Sequence, residues 1–186
     1  MKNLWLIVPL LIAVTACAQV GRLVNYTISE GDVQQLVEQQ IQQREFSLNF
    51  AGVTSALDVE TVGVTIDENG DGKVHLSTSS VLNTQAFGRT YPVKADIKIA
   101  GVPSYSSTEH AIFLRNVSLE DSVIDTGAMR FSLNGISGEI YDFLNQWLDE
   151  NPVYRFDPED NRYRLLRDLG LDISVEPGRL RVTSSE

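Results

Sequence analysis

Residues 93–99 read VKADIKI, and this stretch decides which kind of secondary structure to expect along most of the chain. Apolar side chains occupy every second position from Val93 to Ile99, with lysine or aspartate between them. Successive side chains of a strand point to opposite faces of a sheet, so one face here is apolar and the other charged. This pattern is typical of an antiparallel sheet with one face on a core and one face in water.

Further strands are predicted on both sides of this stretch by alternation and by β-branched residues, at 46–50, 59–66, 73–82 and 111–123. A change of phase between Leu114 and Val117 indicates a β-bulge in the last of them.

Residues 67–72, DENGDG, connect two predicted strands and contain Asn-Gly and Asp-Gly, which tolerate positive φ and favour a hairpin. The turn also has oxygen side chains at alternate positions, as a calcium loop does. The twelfth position from Asp67 is Thr78, where an EF-hand needs a bidentate glutamate, and the flanks are predicted strands. The plain hairpin is therefore the preferred interpretation, with calcium binding as the alternative.

Two amphipathic helices are predicted, one before and one after these strands. The first covers 29–45, with Ser29 as N-cap and Asp32 in the capping-box position. The second covers 137–150 and ends before Pro152. A short strand at Tyr154, a short helix and a closing hairpin follow. Because the strands are consecutive, this order of elements predicts an α+β fold.

The composition and charge of the chain exclude several classes of function. The chain has 186 residues, near the usual length of one domain, and 42% of them are hydrophobic. Lys and Arg number 15 against 25 Asp and Glu, which gives a net charge of −10 and a pI near 4.6. A nucleic-acid backbone needs a basic surface, so nucleic acid is not an expected partner. One cysteine alone builds neither an intramolecular disulfide nor a cysteine zinc site.

The first sixteen residues are predicted to be a secretory signal peptide. Lys2 is followed by an apolar run from Leu4 to Ala16, which as a helix spans only about 20 Å of the roughly 30 Å bilayer core. A plain transmembrane anchor is the alternative, and the short run argues against it.

Val14-Thr15-Ala16-Cys17 resembles the lipobox of bacterial lipoproteins. Small residues let a peptidase cut between Ala16 and Cys17, and the thiol of Cys17 forms a thioether with diacylglyceryl. Cys17 is thus the predicted lipidation site, anchored through two or more acyl chains such as palmitate. The alternative is a buried, unmodified cysteine. The lipoprotein processing and sorting machinery would be a partner.

Ala18 follows the predicted lipid anchor, where lipoproteins kept at the inner membrane commonly carry Asp. The periplasmic face of the outer membrane is therefore the predicted location. The predicted organisation is a signal peptide at 1–16, a lipidated N-terminus and tether at 17–25, and a single α+β domain at 26–186.

The sequence contains no pattern typical of an enzyme. Residues 135–138, GISG, resemble a serine-hydrolase elbow, but Glu139 replaces its final glycine. Carboxylate pairs such as 120–121 lie near turns or helix ends, where solvated charge is the ordinary interpretation. His75 and His110 have no second ligand at helical spacing and are predicted to be solvent or edge residues. We predict no catalytic residue, no metal and no cofactor.

Four short motifs resemble the YceB-like family of Gram-negative lipoproteins, a family of unknown function: YTISE at 26–30, AIFL at 111–114, PVY at 152–154 and VEPG at 175–178. That family is similar to tubular lipid-binding (TULIP-like) domains. The resemblance implies a strongly curved antiparallel β-sheet wrapped around one or two long helices, with lipid in an apolar channel.

The leading hypothesis is a non-enzymatic, membrane-anchored protein that binds or carries a phospholipid, a fatty acid or another apolar ligand. The candidate lining residues lie on the two helices and on the alternating strand: Leu36, Val37, Ile41, Ile97, Ile99, Ile140, Phe143, Leu144 and Trp147. The alternative is an envelope adaptor or structural lipoprotein with a filled core that binds a protein partner.

Overall fold

The computed structural model describes residues 26–50, 53–86, 88–132, 137–167 and 170–184. The predicted signal peptide, with Ala16 and Cys17, lies outside them. Helices α1 (Glu30–Gln42), α2 (Ser137–Glu150) and α3 (Asn161–Arg167) accompany the following strands: β1 (Tyr26–Ser29), β2 (Phe46–Phe50), β3 (Val53–Ile66), β4 (Val74–Ala86), β5 (Arg89–Ser106), β6 (Ala111–Asp125), β7 (Arg130–Ser132), β8 (Tyr154–Arg155), β9 (Leu171–Glu176) and β10 (Arg179–Ser184).

The strands form two antiparallel sheets. The long sheet has the order β2-β3-β4-β5-β6-β7, and β8 pairs with β6 beside it. These neighbours are consecutive in the chain, so tight turns suffice to connect them. The small sheet has the order β1-β10-β9 and brings the first described strand beside the last. Its turn meets the long sheet where the N–H of Gly178 donates to the carbonyl of Ile66, 2.9 Å away.

Helix α1 begins as predicted. The Ser29 hydroxyl accepts from the backbone N–H of Asp32, and the Asp32 carboxylate accepts from the backbone N–H of Ser29 at 2.8 Å, so the capping box is confirmed. Glu30 then accepts from the backbone N–H of Ile66 at 2.8 Å and fixes the start of α1 to the end of β3. None of the described helices is long and apolar enough to cross a bilayer.

The predicted fold is wrong: no α+β arrangement with a strongly curved sheet around one or two long, TULIP-like helices is present in the described residues. They are 57% strand. The helices have 13, 14 and 7 residues. At 1.5 Å per residue the longer two reach only about 20 Å, whereas the 18 residues of β5 span about 60 Å. The residue patterns gave nearly correct helix bounds, but the α+β class inferred from the element order and the long helices implied by the resemblance are both wrong.

The main core closes one end of the long sheet. Ile66 of β3, Val74 of β4 and Leu114 of β6 are at most 1% exposed, and they pack in one cluster with Val33 of α1 and Leu180 of β10. Helix α1 and the small sheet therefore cover this end. A separate, smaller cluster of buried residues lies on the same face farther along the strands.

Candidate functional site

An apolar groove lies on the same face of the long sheet as the main core and shares Val62, Leu76 and Ile99 with it. Its floor consists of residues from four strands: Leu57, Val59, Val62, Leu76, Thr78, Ser80, Leu82, Ala95, Ile97, Ile99 and Ile124. Its opposite wall comes from α1, the start of β2 and the end of α2: Val37, Ile41, Phe46, Leu144, Trp147 and Leu148. Of the side chains that the structure describes, Thr78 and Ser80 alone bring hydroxyl groups to this lining.

Strand alternation puts these residues on one face. The even-numbered positions from Leu76 to Leu82 on β4 and the odd-numbered positions from Ala95 to Ile99 on β5 face the groove. On β3 a bulge between Val59 and Thr61 inserts one extra residue. Val59 and Val62 therefore line the same groove although three positions separate them.

The groove is unfilled by the described side chains. The cavity has a volume of about 120 Å³, within about 930 Å³ of unfilled space that includes its open mouth. Val59, Ile97, Leu144 and Trp147 are only partly buried, in contrast to the closed core at the other end of the sheet. Apolar walls that stay partly in water are typical of a binding site, because burial of such surface is favourable.

Trp147 carries the one unusual polar group of this lining. Its indole Nε1 is shielded from solvent and has no hydrogen-bond acceptor among the described residues. The indole ring meets Phe46 edge to face, with 6.3 Å between ring centroids. The backbone carbonyl of Trp147 accepts from the backbone N–H of Asn151 at 2.9 Å and from its side-chain amide at 2.7 Å. Two hydrogen bonds therefore hold the backbone of Trp147 in place, whereas the N–H group of its indole ring has no acceptor among the described residues.

The structure places six of the nine predicted lining residues around this groove: Val37, Ile41, Ile97, Ile99, Leu144 and Trp147. Leu36 lies elsewhere, beside Tyr154 and Arg155, because consecutive helix residues are about 100° apart. Ile140 and Phe143 belong to α2, but their side chains lie outside the described part of the structure.

A charged cluster occupies the opposite face of the long sheet. His75 is 1% exposed and contacts Glu120 through Nδ1 at 2.9 Å and Asp71 through Nε2 at 3.2 Å. Lys98 contacts Glu68 at 2.8 Å and lies 3.8 Å from Glu120. The cluster thus joins the turn before β4 to strands β5 and β6.

The electrostatics of this cluster favour a charged imidazole. Burial lowers the pKa of His75, but the hydrogen bonds and charges of Glu120 and Asp71 together outweigh burial and raise that pKa above its ordinary value. The hydrogen bond and charge of Lys98 lower the pKa of the Glu68 carboxyl. Positive and negative groups therefore stabilise each other in their ionised forms.

Asp71, His75 and Glu120 also place one ligand atom each within 4.8 Å of one another, a spacing at which they could hold a metal ion. Both imidazole nitrogens already face carboxylates, so a metal at Nε2 would have to displace the contact with Asp71. A protonated imidazole between two carboxylates accounts for the same arrangement without a metal.

The prediction that His75 is an ordinary solvent or edge residue is wrong. Alternation correctly puts it on the outward face of β4, and what buries it is the contact with Glu120 from β6, which local patterns do not reveal. The hairpin preferred at 67–72 is confirmed: the Asp67 carboxylate accepts from the backbone N–H of Gly72 at 2.8 Å, and β3 and β4 pair on either side.

Comparison with curated proteins found no match. A protein-family model described as "Protein of unknown function (DUF1439)" matches residues 28–179, from the first strand to the start of the last. Since this match covers most of the chain, the protein belongs to the DUF1439 family.

Proposed function

We propose that this protein is a YceB-like lipoprotein, anchored at the periplasmic face of the outer membrane, that binds a phospholipid, a fatty acid or another apolar ligand in the groove. The observation that carries the proposal is the open, apolar groove between the long sheet and the wall formed by Ile41, Leu144 and Trp147. It acts as a binding protein and not as an enzyme.

The lining favours an acyl chain over a polar ligand. Among the described lining residues only Thr78 and Ser80 have hydroxyl groups, and the Ser80 hydroxyl already donates to the carbonyl of Ala95 at 3.0 Å. A sugar or nucleotide would lose its contacts with water and find few partners here. An acyl chain instead gains about 0.8 kcal/mol for each methylene group that it buries.

The membrane location rests on the lipobox at 14–17 and on Ala18. Acylated Cys17 would hold the domain at the lipid surface, within about 30 Å of chain from Tyr26. An anchored domain meets lipid at a high local concentration, which favours loading and delivery at that membrane.

The proposal is tested on a secreted chain that starts at Ala18. This chain keeps every described helix and strand, because β1 begins at Tyr26. The protein is purified from a native periplasm without detergent, extracted with organic solvent and examined for lipid by mass spectrometry. Ile97→Trp adds a bulky ring to the floor of the groove. Lys94→Trp adds the same ring to the same strand on the opposite, exposed face.

We expect close to one phospholipid or fatty acid per chain in the wild type and in Lys94→Trp, and several-fold less in Ile97→Trp. A wild-type chain that carries no lipid and takes none from phospholipid vesicles would overturn the proposal. Equal lipid in all three proteins would show that the lipid binds outside the groove. Thermal unfolding of each variant checks that the fold is kept.

A further inference from the structure

The indole N–H of Trp147 is a buried donor without an acceptor among the described residues. Nearly all buried polar groups of native proteins have a hydrogen-bond partner, and a donor that lacks one destabilises the folded state. Trp147 also lines the apolar groove. The unpaired donor therefore belongs to a residue of the candidate binding site.

The described lining offers this donor no acceptor in place. Thr78 and Ser80 are the hydroxyl residues of the described lining, and neither accepts a hydrogen bond from the indole N–H. The carbonyl of Trp147 itself is occupied by Asn151. An occupant of the groove that carries an acceptor would satisfy the indole N–H.

We propose that the N–H of Trp147 donates a hydrogen bond to the carbonyl oxygen of an acyl group bound in the groove. This inference rests on the proposed function and narrows it: the ligand is an acyl ester or acid, and a plain hydrocarbon binds less tightly. The N–H is shielded from solvent in the structure, so the indole turns about its side-chain torsions when the acyl group enters. Asn151 holds the backbone of Trp147 during this movement.

Two probes of matched chain length separate the hydrogen bond from apolar burial: methyl laurate, which has an ester carbonyl, and tetradecane, which has none. Both are delivered to the chain from Ala18 out of methyl-β-cyclodextrin. The sequence contains two tryptophans, and the other one is Trp5, so Trp147 is the sole indole in this chain. A ¹H–¹⁵N spectrum then shows one indole N–H resonance, which reports directly on the proposed bond.

We expect methyl laurate to shift this resonance downfield and tetradecane to leave it nearly unchanged. Trp147→Phe keeps an aromatic wall but removes the donor. This substitution should weaken the binding of methyl laurate about five- to tenfold relative to the binding of tetradecane, as expected for one neutral hydrogen bond. Binding is measured as protein-bound probe by mass spectrometry. Leu144→Ala, which shortens the wall and removes no donor, should weaken both probes by a similar factor.

If both probes bind the wild type and Trp147→Phe weakens them equally or not at all, the inference is overturned and the groove remains a lipid site. An indole resonance that does not respond to bound methyl laurate overturns it as well, even if Trp147→Phe does not fold. If neither probe binds the wild type, the proposed function fails and this inference fails with it.

Discussion

Nδ1 of His75 and Oε2 of Glu120 lie 2.9 Å apart, although the two residues belong to β4 and β6 and β5 runs between them. Nε2 of the same ring lies 3.2 Å from Asp71 in the turn before β4. A buried imidazole thus connects a hairpin turn to a strand two positions away in the sheet. The protonation state of this imidazole should therefore affect the free energy of unfolding.

The free energy of unfolding should depend on pH through His75. Its pKa is raised in the folded protein, so the stabilisation is fully present below the unfolded pKa of about 6.5 and is lost as pH rises through the folded pKa. Chemical denaturation from pH 6 to pH 9 should therefore show stability falling over this window.

Glu120→Gln should flatten that pH dependence and lower stability at pH 6 by about 1.5–3 kcal/mol, the range for a hydrogen bond to a charged group. Asp149→Asn is the control, because its ion pair with Arg115 is exposed and should contribute under about 1 kcal/mol. An unchanged pH slope in Glu120→Gln would mean that His75 does not titrate as described.

Gly101 should not tolerate a side chain. It lies opposite the bulge of β6, and a Cβ there would come within 3.0 Å of the Cβ of Leu114 and 3.3 Å of Cγ2 of Val117. Both neighbours are buried and cannot move aside, so Gly101→Ala should lower the free energy of unfolding by about 1–3 kcal/mol.

Gly31→Ala provides the matched control in urea denaturation. Gly31 lies in the first turn of α1, and among the described side chains only the Ser29 hydroxyl, at 3.8 Å, would approach its Cβ. Alanine favours helix over glycine by up to about 1 kcal/mol, so this variant should be neutral or more stable. An equal decrease in the free energy of unfolding in both variants would argue against a specific close approach at Gly101.

Removal of the N-cap of α1 should lower the free energy of unfolding by a measurable amount. Ser29→Ala eliminates the hydroxyl that accepts from the backbone N–H of Asp32 and should lower stability by about 0.5–2 kcal/mol. Ser107→Ala, in the exposed turn between β5 and β6, should stay within about 0.5 kcal/mol of the wild type. Thermal melts of the two variants should differ accordingly, and identical melts would contradict the capping role.

The hydroxyl of Tyr163 should stabilise the closed end of the molecule. It lies 2.9 Å from the hydroxyl of Tyr105 and 2.6 Å from Nδ1 of His110, and the residue is fully buried. Tyr163→Phe leaves both partners in place without these hydrogen bonds. It should lower the free energy of unfolding by about 1–3 kcal/mol. Tyr91→Phe, at an exposed tyrosine, is the control. Equal denaturation midpoints for these variants would exclude this contribution.

Local patterns predicted much of the secondary structure, because alternation and capping depend on neighbours in sequence. The strand at 93–99 lies within β5, and α2 has the predicted bounds. The phase shift between Leu114 and Val117 corresponds to the observed bulge in register between β5 and β6. These features need no knowledge of distant residues.

Features that depend on long-range pairing were missed. Strand β1 exists because it pairs with β10, at least 150 residues later in the chain. The burial of His75 depends on Glu120. The unpaired N–H of Trp147 emerges only when α2 is packed on the sheet, since a helical pattern indicates which side is apolar but not what meets it.

The central claim, that an acyl lipid occupies the groove, is tested most directly by photo-crosslinking in cells. A photoreactive aliphatic diazirine residue, which adds no aromatic ring, is placed in the full chain at position 97, on the groove floor, or at position 94, on the opposite face of β5. After irradiation, intact mass spectrometry should show an acyl-lipid adduct at position 97 and none at position 94. A protein adduct at position 97, or equal lipid adducts at both positions, would contradict the claim.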